Sequence, residues 1–187
     1  MARKGSGLHY DATLRTLHWT IAAIIFAAIG LGVAAALLPR GASPRVELLT
    51  IHKSLGMTAL ALVVVRAAWR IGAGAPDYSA AIDAATRAAA HALHVALYAL
   101  MIAMPVSGYL YSVAGGHDAP WFGLFAFPAA VGRNEALSRA AESAHLWLAW
   151  TIGAALALHL AATAWHAWVK RDDVLARMWP AAGRAGG

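Results

Sequence analysis

The chain has 187 residues, of which 60% are hydrophobic, only 13% are charged and none is cysteine, and its net charge is +6. A soluble domain carries about 25% charged residues, so this composition excludes a disordered chain, a coiled coil and an ordinary cytosolic enzyme, while the lack of cysteine excludes disulfides, thiolate metal sites and covalently attached haem. In a membrane protein the excess of positive charge indicates basic loops rather than a nucleic-acid partner.

Four segments are apolar enough to cross a bilayer as helices, which takes about 20 residues. The first, Trp19 to Leu38, carries no charge and is too long for the apolar core of a signal peptide. The second reaches a sufficient length if Lys53 and Arg66 extend their charged ends toward the membrane surfaces. The third and fourth lie within Ala88 to His117 and Ser143 to Val169, which contain no Asp, Glu, Lys or Arg.

Only helices and closed barrels satisfy backbone polar groups in lipid, and these segments lack the alternation of barrel strands. The sequence therefore predicts an all-α integral membrane protein, a four-transmembrane-helix bundle. We expect a single membrane domain over residues 1–187, with helices at about 14–38, 47–70, 88–114 and 142–170.

The connections between the predicted helices contain Pro and Gly, as in 39–44 and 72–77, and the third, about 115–142, includes the aromatic stretch Trp121 to Phe127, which suits the membrane interface. An even number of helices places both termini on one side of the membrane. That side carries ten of the fifteen Lys and Arg residues, so the positive-inside rule predicts cytoplasmic N- and C-terminal tails.

Histidine is the residue type that carries chemistry in this sequence. Ionisable residues inside a membrane are rare and are often functional, although each histidine alone could be packed or interfacial. Seven of the nine histidines lie in or at the edges of the predicted helices: His18, His52, His91, His94, His145, His159 and His166.

The spacing of the histidines predicts two stacked sites. His145 and His159 lie 14 residues apart, so they are ~21 Å apart on nearly one helix face and too distant to share a metal ion. The topology places His52 at the depth of His145 near the outer surface, and His18 at the depth of His159 near the inner surface. Zinc needs three or four ligands, whereas two facing histidines in a bundle core can bind haem iron from both sides. Without cysteine, the haem would be non-covalent haem b.

Several motifs follow one another along the chain: Leu17-His-Trp19, Ile51-His-Lys-Ser-Leu-Gly56, His94-Val-Ala-Leu-Tyr98, Pro105-Val-Ser-Gly108, Trp121-Phe-Gly-Leu-Phe125, His145 with His159 and His166, and Arg171-Asp-Asp-Val-Leu-Ala-Arg-Met178. In this order and spacing they resemble the bacterial cytochrome b561 family over residues 9 to 180. The sequence departs from the family at Leu146, where an acidic residue is frequent, and at the single His166, where the family often has a histidine pair.

The resemblance implies a four-helix protein of the bacterial inner membrane that binds two haem b groups and exchanges electrons with ubiquinone or another quinone. Its implied ligands are the four histidines that the topology also selects: His18, His52, His145 and His159. One branch of the family is a superoxide oxidase. The implied partners are the lipid bilayer, quinone, and superoxide or a periplasmic electron donor; a homodimer is allowed, and nucleic acid is not expected.

Two further residues are candidate catalytic residues. Lys53 adjoins His52 at the outer boundary, where its charge would focus a small anion or simply reach the membrane surface. His166 follows His159 by seven residues and is a candidate for quinone binding and proton relay, since imidazole titrates near neutrality. His94 is a second quinone-site candidate. Because His166 is about as deep as His18, an inner pair of His18 with His166 remains open.

The predicted function is that of an oxidoreductase, similar to a superoxide:ubiquinone oxidoreductase. The alternative is a non-catalytic cytochrome b electron-transfer subunit for a periplasmic redox partner, which would need a large docking patch rather than a basic funnel. A third alternative is a haem-free, histidine-lined proton or metal transporter, which a cytochrome absorption spectrum would exclude.

Overall fold

The computed structural model describes residues 9–74, 76 and 82–179, and four long helices dominate it. The elements in chain order are α1 (Ala12–Ala36), α2 (Ser43–Ala73), α3 (Ala84–Ala114), β1 (Ala119–Trp121), β2 (Phe125–Phe127) and α4 (Glu135–Trp165), which continues as a π-helical turn over His166–Lys170. All four helices are long and apolar enough to cross a membrane, which confirms the predicted fold class. Residues 1–8, 180–187 and most of the second connection lie outside the described residues, so the cytoplasmic tails predicted there stay predictions.

The helices differ in length from the predicted spans, mainly because they begin earlier. The side chains of Asp11, Asp83 and Asn134 each accept a hydrogen bond from the backbone N–H three residues later and so cap α1, α3 and α4. The hydrogen bonds from Thr86 also lower the pKa of the Asp83 carboxyl. An apolar run measures the thickness of the hydrocarbon layer, whereas a helix continues to the next capping residue.

The helices pack as two antiparallel hairpins, α1 with α2 and α3 with α4. The hairpins touch each other along part of the α2–α3 boundary. Within the described part of the chain, no Cα atom of α1 comes within 8 Å of a Cα atom of α3 or α4, and none of α2 comes within that distance of α4. Directly packed helices have axes about 8–10 Å apart, so a gap separates α4 from both α1 and α2.

The two ends of the bundle differ in structure. We call the end where α1 and α3 begin the terminal end, and the opposite end the hairpin end, because β1 and β2 form an antiparallel β-hairpin there. The aromatic stretch predicted to be a loop forms this β-hairpin. The indole N–H of Trp121 donates to the hydroxyl of Thr58 at 3.1 Å, and the backbone N–H of Phe122 donates to the hydroxyl of Ser54 at 2.8 Å. The β-hairpin is therefore fixed on α2 beside His52.

At the terminal end, the chain reverses after α4 and folds back over the start of α1. Arg171 has a φ of 53°, in the left-handed region, and residues 172–179 form what we call the terminal cap. The indole N–H of Trp19 donates to the carbonyl of Met178 at 2.9 Å, and the Trp19 and Trp179 rings lie 5.8 Å apart. The predicted C-terminal tail is thus folded onto the bundle as far as Trp179.

Candidate functional site

At the hairpin end, two histidines face each other across the gap between the helical hairpins. The rings of His52 from α2 and His145 from α4 have centroids 6.1 Å apart. Nδ1 of His52 lies 2.8 Å from the carbonyl oxygen of Ala28, and Nδ1 of His145 lies 3.1 Å from that of Met104. Because a carbonyl oxygen only accepts hydrogen bonds, each Nδ1 carries the proton, and each Nε2 keeps a lone pair that can bind a metal.

Each of these two rings also lies against a glycine of a neighbouring helix. A Cβ atom at Gly32 of α1 would come 3.1 Å from Cε1 of His52, and one at Gly108 of α3 would come 2.9 Å from Cε1 of His145. Both glycines follow by four residues the carbonyl that accepts the histidine proton. The neighbouring helix therefore orients the ring and leaves room for it. The sequence signal was available, since a glycine inside a helix costs roughly 1 kcal/mol and needs a reason.

At the terminal end, three imidazoles lie together. The rings of His18 from α1 and His159 from α4 have centroids 6.3 Å apart, and the ring of His94 from α3 lies 5.5 Å from that of His159. Nδ1–H of His94 donates to the carbonyl of Ala90 in its own helix at 2.6 Å. His94 and His159 belong to the same helical hairpin, whereas His18 and His159 come from opposite ones. The pair His18–His159 thus repeats the arrangement of His52–His145.

The separations within both pairs suit a metal bound between the imidazoles. A metal–nitrogen bond of about 2.0–2.1 Å on each side puts the two nitrogens ~4 Å apart and the ring centres ~6 Å apart. Across residues 9–74, 76 and 82–179, no group of three or more His, Asp or Glu side chains is placed to hold a metal ion. A metal with two protein ligands must bring the others with it, as haem iron brings four porphyrin nitrogens. The donor set at both ends therefore fits haem.

His166 lies in the π-helical turn and has a carboxylate partner. Its Nδ1 lies 2.5 Å from Oδ2 of Asp172, and both side chains are largely buried. Irregular π-helical turns are frequent at functional sites. Sequence reasoning missed Asp172, because residues six apart do not meet on a regular α-helix. The contact between His166 and Asp172 forms because the π-helical turn and the left-handed Arg171 reverse the chain between them.

Lys53 and Arg66, the two cations near the ends of the second predicted span, lie in different environments. The ammonium of Lys53 donates to the hydroxyl of Ser112 at 2.7 Å and to the carbonyl of Asp118 at 3.0 Å, so it ties the loop before the β-hairpin to α2 and α3. Arg66 is buried, and the prediction that its charge reaches the membrane surface is wrong. Its side chain instead meets Tyr98 of α3 inside the bundle.

Comparison with known proteins identifies the family of this chain. The family model for prokaryotic cytochrome b561 matches residues 9–181. The chain is 32% identical to cytochrome b561 homolog 2 of Escherichia coli (strain K12) over 169 residues, 90% of each chain. It is 27% identical to the probable superoxide oxidase CybB of Yersinia pestis over 164 residues, 88% of this chain and 92% of that protein. With four membrane-spanning helices and a match over nearly its whole described length, the chain belongs to the prokaryotic cytochrome b561 family of haem b proteins, which transfer electrons in bacterial membranes.

Proposed function

We propose that the protein is a di-haem b cytochrome of the bacterial inner membrane that transfers electrons from superoxide at its outer face to the quinone pool. The observation that carries this proposal is the pair of histidines at each end of the bundle. The two members of each pair come from opposite helical hairpins and face each other across the gap. His52 and His145 would hold one haem, and His18 and His159 the other. When bound, each haem supplies an iron that accepts and releases one electron reversibly.

The distribution of Lys and Arg predicts that the terminal end faces the cytoplasm, so in this proposal superoxide reacts at the hairpin end and quinone at the terminal end. Superoxide gives up one electron and leaves as dioxygen. A quinone takes two electrons and two protons to become a quinol, so two superoxide ions are consumed for each quinol formed. The similarity to a probable superoxide oxidase supports superoxide as the donor.

In this proposal His166 and Asp172 handle the protons. With Nδ1–H directed at Asp172, Nε2 is the imidazole nitrogen left to exchange a proton with the quinone. When it carries a proton, Nε2 donates to a quinone carbonyl and passes its proton on as the quinone is reduced. The imidazole then takes another proton from the cytoplasmic side. His94, at the same end, is a second candidate contact of the quinone.

The test of this function is rapid mixing of the purified protein with superoxide, with and without a ubiquinone analogue. We expect superoxide to reduce the haem bands and the quinone to reoxidise them. If superoxide does not reduce the haem but a periplasmic redox protein does, the protein is an electron-transfer subunit instead.

We expect His166→Leu to slow quinone reduction by about 100-fold or more, the usual contribution of a proton-transferring side chain. Both haems should remain, and reduction by superoxide in a single turnover should stay fast because that step precedes the quinone. Asp172→Asn should have a smaller effect, since the amide oxygen still accepts from Nδ1 but brings no charge. Loss of one haem in His166→Leu, with both retained in His159→Leu, would instead support the His18–His166 pair.

For Lys53, we expect replacement by Gln to slow haem reduction by superoxide and to flatten its dependence on salt, because focusing of an anion is screened over ~8–10 Å at ordinary ionic strength. Lys53→Arg keeps the charge and should keep the rate. Reduction by a neutral donor should change in neither variant. If superoxide reduces the haem of Lys53→Gln at the normal rate, Lys53 does not attract the anion, and its role is limited to the contacts with Ser112 and Asp118.

A further inference from the structure

A buried cation lies near the terminal end without a matching anion. Arg66 of α2 is 6% exposed, and its Nε has no hydrogen-bond partner. One terminal nitrogen of its guanidinium donates to the hydroxyl of Tyr98, and the group lies 5.4 Å from the centre of the Tyr98 ring. Within the described ranges, the ion pairs join Arg139 to Glu135 and His166 to Asp172, and none involves Arg66.

The position of Arg66 assigns it to the His18–His159 site. Arg66 follows His52 on α2 by 14 residues, as His159 follows His145 on α4. Both steps advance ~21 Å along a helix and return to within ~40° of the same face.

Tyr98 brings the third side of this arrangement. It follows His94 by four residues on α3, so the two side chains share a face of that helix, and His94 contacts the ring of His159. The hydroxyl of Tyr98 accepts from Arg66 and keeps its own proton available for another acceptor. Arg66 and Tyr98 therefore present hydrogen-bond donors beside the pair His18–His159.

An unpaired guanidinium inside a membrane protein is costly, and such charges are found paired or facing a functional site. The group that arginine matches best is a carboxylate, which accepts two parallel N–H···O bonds. Nearby Arg70 differs, since it donates to the hydroxyl of Tyr10 at 2.7 Å and is only half-buried. No described residue of the chain therefore supplies an anion for the buried guanidinium of Arg66.

We propose that Arg66, together with the hydroxyl of Tyr98, binds a propionate carboxylate of the haem held by His18 and His159. The inference rests on the proposed function, because it requires that haem. Haem b carries two carboxylates on one edge of its ring, so a haem entering the gap between the helical hairpins brings the missing anion. Arg66 then fixes which way round this haem is bound and raises the reduction potential of its iron, since a nearby cation favours the less positive, reduced state.

The experiment compares full-length Arg66→Gln, Arg66→Lys and Tyr98→Phe with Arg70→Gln as the matched control one helical turn away. We would measure haem b per chain, the rate at which each haem passes to excess apomyoglobin, and the midpoint potentials of both haems. In Arg66→Gln we expect the terminal-end haem to leave about tenfold faster or more and its potential to fall. Arg66→Lys and Tyr98→Phe should show smaller changes, while Arg70→Gln and the hairpin-end haem should not change.

A second arm removes the carboxylate instead of the arginine. Wild-type protein loaded with haem dimethyl ester should lose its terminal-end haem at the raised rate, and Arg66→Gln should raise that rate no further, because each change removes the same interaction. If Arg66→Gln does not accumulate, the proposal is still tested by haem loss from Arg66→Lys, from Tyr98→Phe and from wild-type protein loaded with haem dimethyl ester.

An unchanged rate of haem loss and an unchanged potential in Arg66→Gln would overturn this assignment. So would an Arg66→Gln protein that carries less bound phospholipid phosphorus but binds its haem normally, because Arg66 would then bind a lipid phosphate instead. Wild-type protein without haem would instead overturn the proposed function itself.

Discussion

We expect His145→Ala to lower the haem content from two per chain to one, with loss of the haem at the hairpin end. His52→Ala should have the same result, because in the proposed site both imidazoles of this pair would hold the same iron and removal of either would take away one of its two protein ligands. His18→Ala and His159→Ala should remove the other haem. Haem-to-protein ratios and redox titration of the four variants measure the effect, since each should retain one of the two midpoint potentials.

The matched control for this experiment is His94→Leu. His94 lies nearer to the ring of His159 than His18 does, but it belongs to the same helical hairpin as His159 and cannot bind from the opposite side of the gap. Both haems should therefore remain in this variant. Loss of the same haem from His18→Ala and His145→Ala would show that the pairing is wrong.

We expect Gly108→Ala to weaken haem binding at the hairpin end by about 10–100-fold, the range found when a group that orients a metal ligand is altered. The new methyl group would lie 2.9 Å from Cε1 and 3.1 Å from Nδ1 of His145. The ring must move, and it then loses its hydrogen bond to Met104. Haem transfer to apomyoglobin measures the effect, and the terminal-end haem is the internal reference.

Glycines without close neighbours give the control series. Gly32→Ala should be milder than Gly108→Ala, because its Cβ would meet His52 at 3.1 Å, where a shift of a few tenths of an ångström suffices. Gly30→Ala, two residues away on the same helix, meets nothing within 4 Å and should leave both haems unchanged. Equal haem loss in all three variants would indicate a general effect on helix packing instead.

The depth of the histidines could be predicted from the sequence because helix rise is constant. The 14 residues between His145 and His159 fix their separation, and the apolar runs fix where each helix crosses the membrane. His52 then has one partner at its depth on α4, His145, whereas His18 has two candidates, His159 and His166. The choice between His159 and His166 could not be made in this way, because both lie on one face. It depends on the π-helical turn, which directs His166 toward Asp172.

Arg66 shows where sequence reasoning reaches its limit. A cation a few residues from the end of an apolar segment has two physically reasonable positions, one at the membrane surface and one in the bundle core. The choice depends on whether a neighbouring helix offers a partner, here Tyr98, at the same depth. Helix packing decides this, and one sequence without its neighbours in space does not reveal it.

The gap between the two helical hairpins would make the stability of this protein depend on the supply of haem. In the structure the helical hairpins α1–α2 and α3–α4 are joined by part of the α2–α3 boundary, by the β-hairpin on α2 and by the terminal cap on α1. Haem bound across the gap stabilises only the joined state, by an amount that grows with free haem concentration. The fraction of protein in the joined state would therefore rise with the supply of haem.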